Sequence, residues 1–213
     1  PLDANVATDD VSYLGVALAD FNGDLIGLED LLEFHAYNVD ALINKVGKGT
    51  AVVGTPDKLD WSAFTYTGLD IDAELTALNT TFAGQALTAD VDLAVSGGVA
   101  LNVLGGILVA KGDFDIALGQ VQSAALPSGA SQDADVMTLT LSDVQVFVGV
   151  GGGLADPTVT DDWSTSAVVD GSLGFGATVS TLTLVSVKDR GAIVDPLDAN
   201  VATDDVSYLG VAL

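Results

Sequence analysis

Residues Met137–Val150 read MTLTLSDVQVFVGV, and Gly176–Asp189 read GATVSTLTLVSVKD. In the second stretch Val179, Leu182, Leu184 and Val187 interleave with Ser180, Thr181, Thr183 and Ser186. Apolar or β-branched residues alternating with small polar ones are what a strand needs, because successive side chains leave opposite faces of a sheet. Outward from these two segments the same signal recurs. It marks strands at Val11–Phe21, Val91–Val95, Val99–Ala110 and Phe114–Val121. In FHAYNVDALINKV the residues His35, Tyr37, Val39, Ala41 and Ile43 are expected on one face, opposite Asn38, Asp40 and Asn44. Twenty-four glycines, with turn-prone pairs such as Asn22-Gly23, Gly112-Asp113 and Pro56-Asp57, supply turns. Val99–Ala110 (VALNVLGGILVA) is apolar at both alternating sets, which predicts a strand covered on both sides.

One segment competes for a helix. LIGLEDLLEF, from Leu25, has apolar residues at helical spacing, with Glu29 and Asp30 suited to a first turn. Against it, Leu18-Ala19-Asp20-Phe21 followed by Ile26-Gly27-Leu28 resembles Leu141-Ser142-Asp143-Val144 followed by Val148-Gly149-Val150, which is strand-like throughout. The first copy is therefore also read as strand, with a turn at Asn22-Gly23-Asp24 and a short helix over 28–34 as the alternative. Acidic or small-residue stretches at Gly47–Pro56, Pro127–Asp135, Ala155–Thr165 and Gly191–Asp205 read as loops. The expected fold is all-β: an elongated antiparallel sheet or sandwich module.

The ends carry the second decisive feature. Pro1–Leu18 and Pro196–Leu213 are the same eighteen residues, PLDANVATDDVSYLGVAL, which gives a period of 195 residues (position 196 less position 1). That exceeds the ~20–50 residues of solenoid repeats and is the size of a domain. The expectation is one tandem-repeat unit over 1–195 and the start of the next over 196–213, with Gly191–Asp205 at the seam.

Composition bounds the partners. With 49% hydrophobic residues and a mean hydropathy of +0.47, the 213-residue chain has material for a core. Thirty acidic against six basic side chains leave a formal charge of −24, which repels nucleic acid and anionic membranes and favours cations. The absence of cysteine excludes disulfides, thiolate metal sites and a cysteine nucleophile. Charged residues interrupt every apolar run before the length a transmembrane helix needs.

Lys58–Phe64 (KLDWSAF), Gly97–Val121 (GGVALNVLGGILVAKGDFDIALGQV) and Val144–Leu154 (VQVFVGVGGGL) resemble repeats of giant bacterial surface proteins of the LEPR-XLL and RTX-associated kind. The resemblance implies an exported, all-β, multi-repeat protein of the cell surface or of extracellular filaments, and implies no enzymatic activity. The RTX nonapeptide calcium signature is absent, so calcium rolls are not carried over.

Asp20-Phe21-Asn22-Gly23-Asp24 is the sharpest candidate site. Calcium takes six to eight oxygens, and D-x-N-x-D offers three: Asp20, Asn22 and Asp24. An EF-hand loop would continue with Gly and a twelfth-position acid, where this chain has Leu25 and Leu31, so a shortened calcium loop competes with a plain acidic turn. Asp113/Asp115 is a second candidate pair, and Asp70/Asp72, Asp90/Asp92 and Asp133/Asp135 share its spacing, each placing two carboxylates on one face of a strand. The lone histidine, His35, has no nucleophile elbow to serve and reads as packed or surface-exposed. Gly149–Gly153 lacks the lysine of a phosphate loop. Trp61 and Trp163 read as core or seam anchors. The expected function is a non-catalytic structural repeat of an extracellular filament or adhesin stalk, its partners being neighbouring repeats and other copies of itself. A glycan-binding adhesin module and an outer-membrane β-barrel are the alternatives.

Overall fold

The computed structural model describes residues 10–26, 28, 31–54, 56–64, 87–126, 134–189 and 206–213. Its strands are β1 (Val11–Asp24), β2 (Leu32–Lys48), β3 (Val91–Val103), β4 (Leu108–Val121), β5 (Ala134–Val150), β6 (Gly153–Leu154), β7 (Val168–Val169), β8 (Leu173–Asp189) and β9 (Val206–Ala212). Seven of them form one antiparallel sheet in the order β1-β2-β3-β4-β5-β8-β9, and β6 and β7 make a small hairpin beside it. The fold is all-β, as the alternation predicts. Of the two expected architectures it is the sheet that forms, running strand to neighbouring strand in chain order.

Four details differ from the sequence-based expectation. The strand placed at Val99–Ala110 is two strands, because the chain reverses at Leu104–Ile107. There Leu104, Gly105 and Gly106 have φ of 53°, 59° and 92°, and a Cβ on Gly106 would lie 2.1 Å from the carbonyl oxygen of Gly152. The turn expected at Asn22-Gly23-Asp24 is absent: β1 runs on to Asp24, and the antiparallel β2 begins at Leu32. Among the described residues of 28–34 there is no helix. Leu31 and Leu32 each donate to the Leu28 carbonyl, at 2.8 and 2.6 Å, and the chain then enters β2 at Leu32. Pairing on both sides, to β1 and β3, outweighs the weak helical propensity of so short a segment. The single face proposed for His35–Ile43 is also broken, because the β2–β3 register shifts between Tyr37 and Asp40. His35 and Tyr37 therefore share a face with Leu42 and Asn44, and Ala41 and Ile43 turn to the other one.

The two faces have different characters. One is covered, and along it lie the buried Tyr37, Asn44, Ala100, Val109, Ala134 and Phe147. Two loop systems cover it: residues 49–54 and 56–64 with 87–90 over β1 and β2, and residues 151–172 over β2 to β5. Leu87, fully buried beneath the first, contributes about 1.5–3 kcal/mol by leaving water. The other face is apolar: Leu14, Val16, Leu18, Leu118, Met137, Leu209 and Val211 are each more than one-third exposed on it.

Candidate functional site

The acidic motif Asp20-Phe21-Asn22-Gly23-Asp24 sits in a crease of the sheet, where β1 is irregular against β2 on either side of Phe21. Asp20 has φ of 52°, a left-handed conformation that Asp and Asn tolerate better than other side chains. Asn38 in β2 (φ 50°) and Asp143 in β5 (φ 51°) do the same, each beside a register shift. The internal likeness of 18–21 to 141–144 is thus a likeness of two bulges. The Asp20 N–H donates to Asp40 Oδ1 at 2.9 Å, and Asn22 Nδ2 donates to the Asp20 carbonyl at 3.1 Å. The Asn38 N–H donates to Asn22 Oδ1 at 3.0 Å. Asp24 Oδ1 lies 2.6 Å from His35 Nδ1, whose Nε2 is 3.2 Å from Glu33 Oε1. Asn22 and Asp24 therefore tie β1 to β2 with their side-chain oxygens, and the three residues do not surround one loop.

Asp113 and Asp115 lie on the covered face, between the two loop systems. They border a shallow cavity of about 340 Å³ whose other walls include Tyr37, Ser96, Gly98 and Ser142. Burial pushes the Tyr37 phenol well above the ordinary tyrosine range, and the negative charges of Asp113 and Asp143 reinforce the shift. Lys111 spans the cavity rim, its Nζ 5.6 Å from the Tyr37 ring centroid and donating to the Ser164 carbonyl at 2.7 Å. Chemically this is a trench of carboxylates and hydroxyls over a neutral phenol. Among the described residues no three His, Asp or Glu side chains converge so as to hold a metal ion. Asp92 pairs with Lys58 Nζ at 2.7 Å. Asp70, Asp72 and Asp133 lie outside the described residues.

Both tryptophans anchor covers, and they do so through the same tripeptide. In Asp60-Trp61-Ser62 the Asp60 Oδ1 accepts from the N–H and hydroxyl of Ser62, at 2.9 and 2.5 Å. In Asp162-Trp163-Ser164 the Asp162 Oδ1 accepts from the same two groups of Ser164. Each aspartate closes a turn that presses its indole onto the sheet. Trp61 lies over Gly15, so close that a Cβ there would be 2.6 Å from the indole. Its Nε1–H donates to Asn44 Oδ1 at 3.1 Å, and Asn44 Nδ2 donates to the carbonyls of Leu59 at 2.8 Å and Thr88 at 2.9 Å. Trp163 stacks on His35 with ring centroids 3.4 Å apart and an interplanar angle of 15°. The repeated D-W-S was the signal in the sequence for these two anchors.

The remaining feature is the pair of sheet edges. Val11–Ala17 of β1 and Val206–Ala212 of β9 are the same seven residues, and they form the outermost strands at opposite ends of the sheet. No protein-family model matches the chain, and no curated protein or solved structure does.

Proposed function

We propose that the chain is a structural, non-catalytic repeat unit of an extracellular filament or adhesin stalk. The observation that carries this reading is that one sequence, VSYLGVA, bounds the sheet at both ends. A sheet that carries the same strand sequence at both margins, 195 residues apart, has the form of a link in a series. The large acidic excess then needs counter-ions, and divalent cations at paired carboxylates such as Asp113/Asp115 would offset it. Negative-stain electron microscopy of the purified multi-unit protein, with and without chelator, tests the proposal. Extended fibres that loosen or shorten in chelator are expected. Isolated beads, identical in both conditions, would count against it.

The opposed faces favour a second reading, an outer-membrane β-barrel, because apolar-out and polar-in alternation is the pattern of such barrels. Its strands would tilt by about 35–45°. The register traced below corresponds to far less, and this ranks the barrel second. Solubility of the chain without detergent would remove it.

A further inference from the structure

We infer that the outer edge of β1 is a docking site for the β8 strand of a preceding copy of this unit, in the register that β9 shows, so that consecutive units share one unbroken sheet. This rests on the repeat reading above and specifies its joint. In the structure β8 already carries a strand of the β1 sequence. Val185 faces Gly210, Leu184 faces Val211 and Ser186 faces Leu209, and these partners are the copies of Gly15, Val16 and Leu14.

Three geometric conditions must hold for one strand to serve both neighbours, and each does. The first is direction. Six strands, β1 to β5 and β8, precede β9 in the antiparallel order, so β9 runs the same way as β1. The second is face. Direct cross-strand partners lead from Ala17 through Leu42, Ala94, Ala117, Thr138 and Val185 to Gly210. Gly210 is the copy of Gly15, so the row returns two residues away from where it began. Rows begun at Val16 and Leu18 end at Leu209 and Val211, the copies of Leu14 and Val16, with the same offset. An even offset keeps every side chain on its own face, whereas an odd one would turn the apolar set onto the covered side. At the joint Leu184, Val16 and Ile43 then form one apolar row, and Val185, Gly15 and Asn44 form the row beneath Trp61.

The third condition is that the strand should prefer another unit to its own β8. Two residues of offset amount to about 7 Å along strands whose sixfold spacing is about 29 Å, a tilt of roughly 13°. Closed barrels need about 35–45°, so the same register cannot close a single unit upon itself. The edge is also left available. Val11–Leu18 contains no proline and no charged residue to blunt pairing, and Tyr13, Leu14 and Leu18 are more than 40% exposed. β8 in turn extends past Thr183, the last residue β9 covers, to Leu173, with Phe175 70% exposed. The remainder of the β1 sequence, Leu18–Asp24, is what would lie along that stretch.

Amide hydrogen exchange tests the joint. The 213-residue chain is compared with the same chain extended at its N-terminus by one copy of residues 1–195. In the single chain, every second N–H of Val11–Leu18 points away from β2 and exchanges fast. In the extended chain those same amides are expected to slow about a hundredfold. Alternating protection that persists unchanged in the extended chain would overturn the inference. Protection of all these amides in the single chain at every concentration would also overturn it, by showing closure within one unit. If fibres form while the alternation persists, the units are joined by other contacts: the filament reading stands and the shared sheet falls. If the amides slow but no fibre forms, the shared sheet stands and the filament reading falls.

Discussion

Gly15 and Gly210 occupy the same sequence, SYLGVA, yet substituting them should have opposite effects. A Cβ on Gly15 would lie 2.6 Å from Trp61 Cε2, 2.7 Å from Nε1 and 2.9 Å from Cδ2, nearer than such atoms pack, so in Gly15→Ala the indole must move. Overpacking of this kind costs about 1–3 kcal/mol, and weakening the hydrogen bond to Asn44 adds about 1 kcal/mol. Alanine returns about 0.5–1 kcal/mol through its better behaviour in a strand. The net expectation is a loss of about 1–3 kcal/mol. A Cβ on Gly210 meets nothing nearer than the Val185 carbonyl oxygen at 4.0 Å, so Gly210→Ala should be neutral or up to about 0.5 kcal/mol stabilising. Urea denaturation followed by tryptophan emission gives both values from midpoint and slope. Equal effects at the two sites, or no loss at Gly15, would refute the placement of Trp61. In the two-unit chain the seam copy of this glycine lies beneath the next unit's tryptophan, and the penalty should appear there too.

Further consequences concern the covered face and the crease. Asn44→Leu removes three hydrogen bonds in a buried site, one from the Trp61 N–H and two to the carbonyls of Leu59 and Thr88, so a loss of about 3–5 kcal/mol is expected, read as a fall in thermal midpoint. Tyr37 is held neutral when folded, whereas in the unfolded chain its phenol ionises near pH ~10. Its folded pKa is raised, so its contribution is complete below that pH and declines above it. By pH ~11 the decline should reach about 1.4 kcal/mol, seen as the stability difference between the wild type and Tyr37→Phe. An unchanged difference from pH ~8 to ~11 would refute this. Asp20 holds φ of 52°, so Asp20→Val should cost about 1–3 kcal/mol while Asp20→Gly stays within about 0.5 kcal/mol. Circular-dichroism melts of the two variants separate these outcomes, and equal losses would argue against the bulge.

The strands were legible because their side chains alternate between two unlike environments, as in MTLTLSDVQVFVGV. What alternation could not reveal was where it reverses. At Asp20, Asn38 and Asp143 the residue itself takes a left-handed conformation and the pattern changes face, which a count by twos across His35–Ile43 misses. The same residues account for the acidic motif. An aspartate in a bulge and an aspartate in a ligand loop look alike in sequence, and only cross-strand partners such as Asp40 and Asn38 separate them. Leu104-Gly105-Gly106-Ile107 was obscured by its apolar flanks, though its two glycines were the turn. The role of the repeated ends needed topology, because identity of sequence does not say that two copies lie on opposite margins of one sheet.

The crease through Asp20, Asn38 and Asp143 also bears on how the sheet responds to sliding. A smooth antiparallel ladder can slip by two residues with each side chain keeping its face, and only local fit opposes the slip. Here β1, β2 or β5, if it slipped, would carry its kink past a straight stretch of its neighbour. The Asn22 carbonyl oxygen atom of the side chain would also have to release the N–H of Asn38. The kinks thus act as detents, giving β1, β2 and β5 one longitudinal resting position against their kinked or straight neighbours, so that a long assembly of such sheets would keep its alignment there without relying on its hairpins.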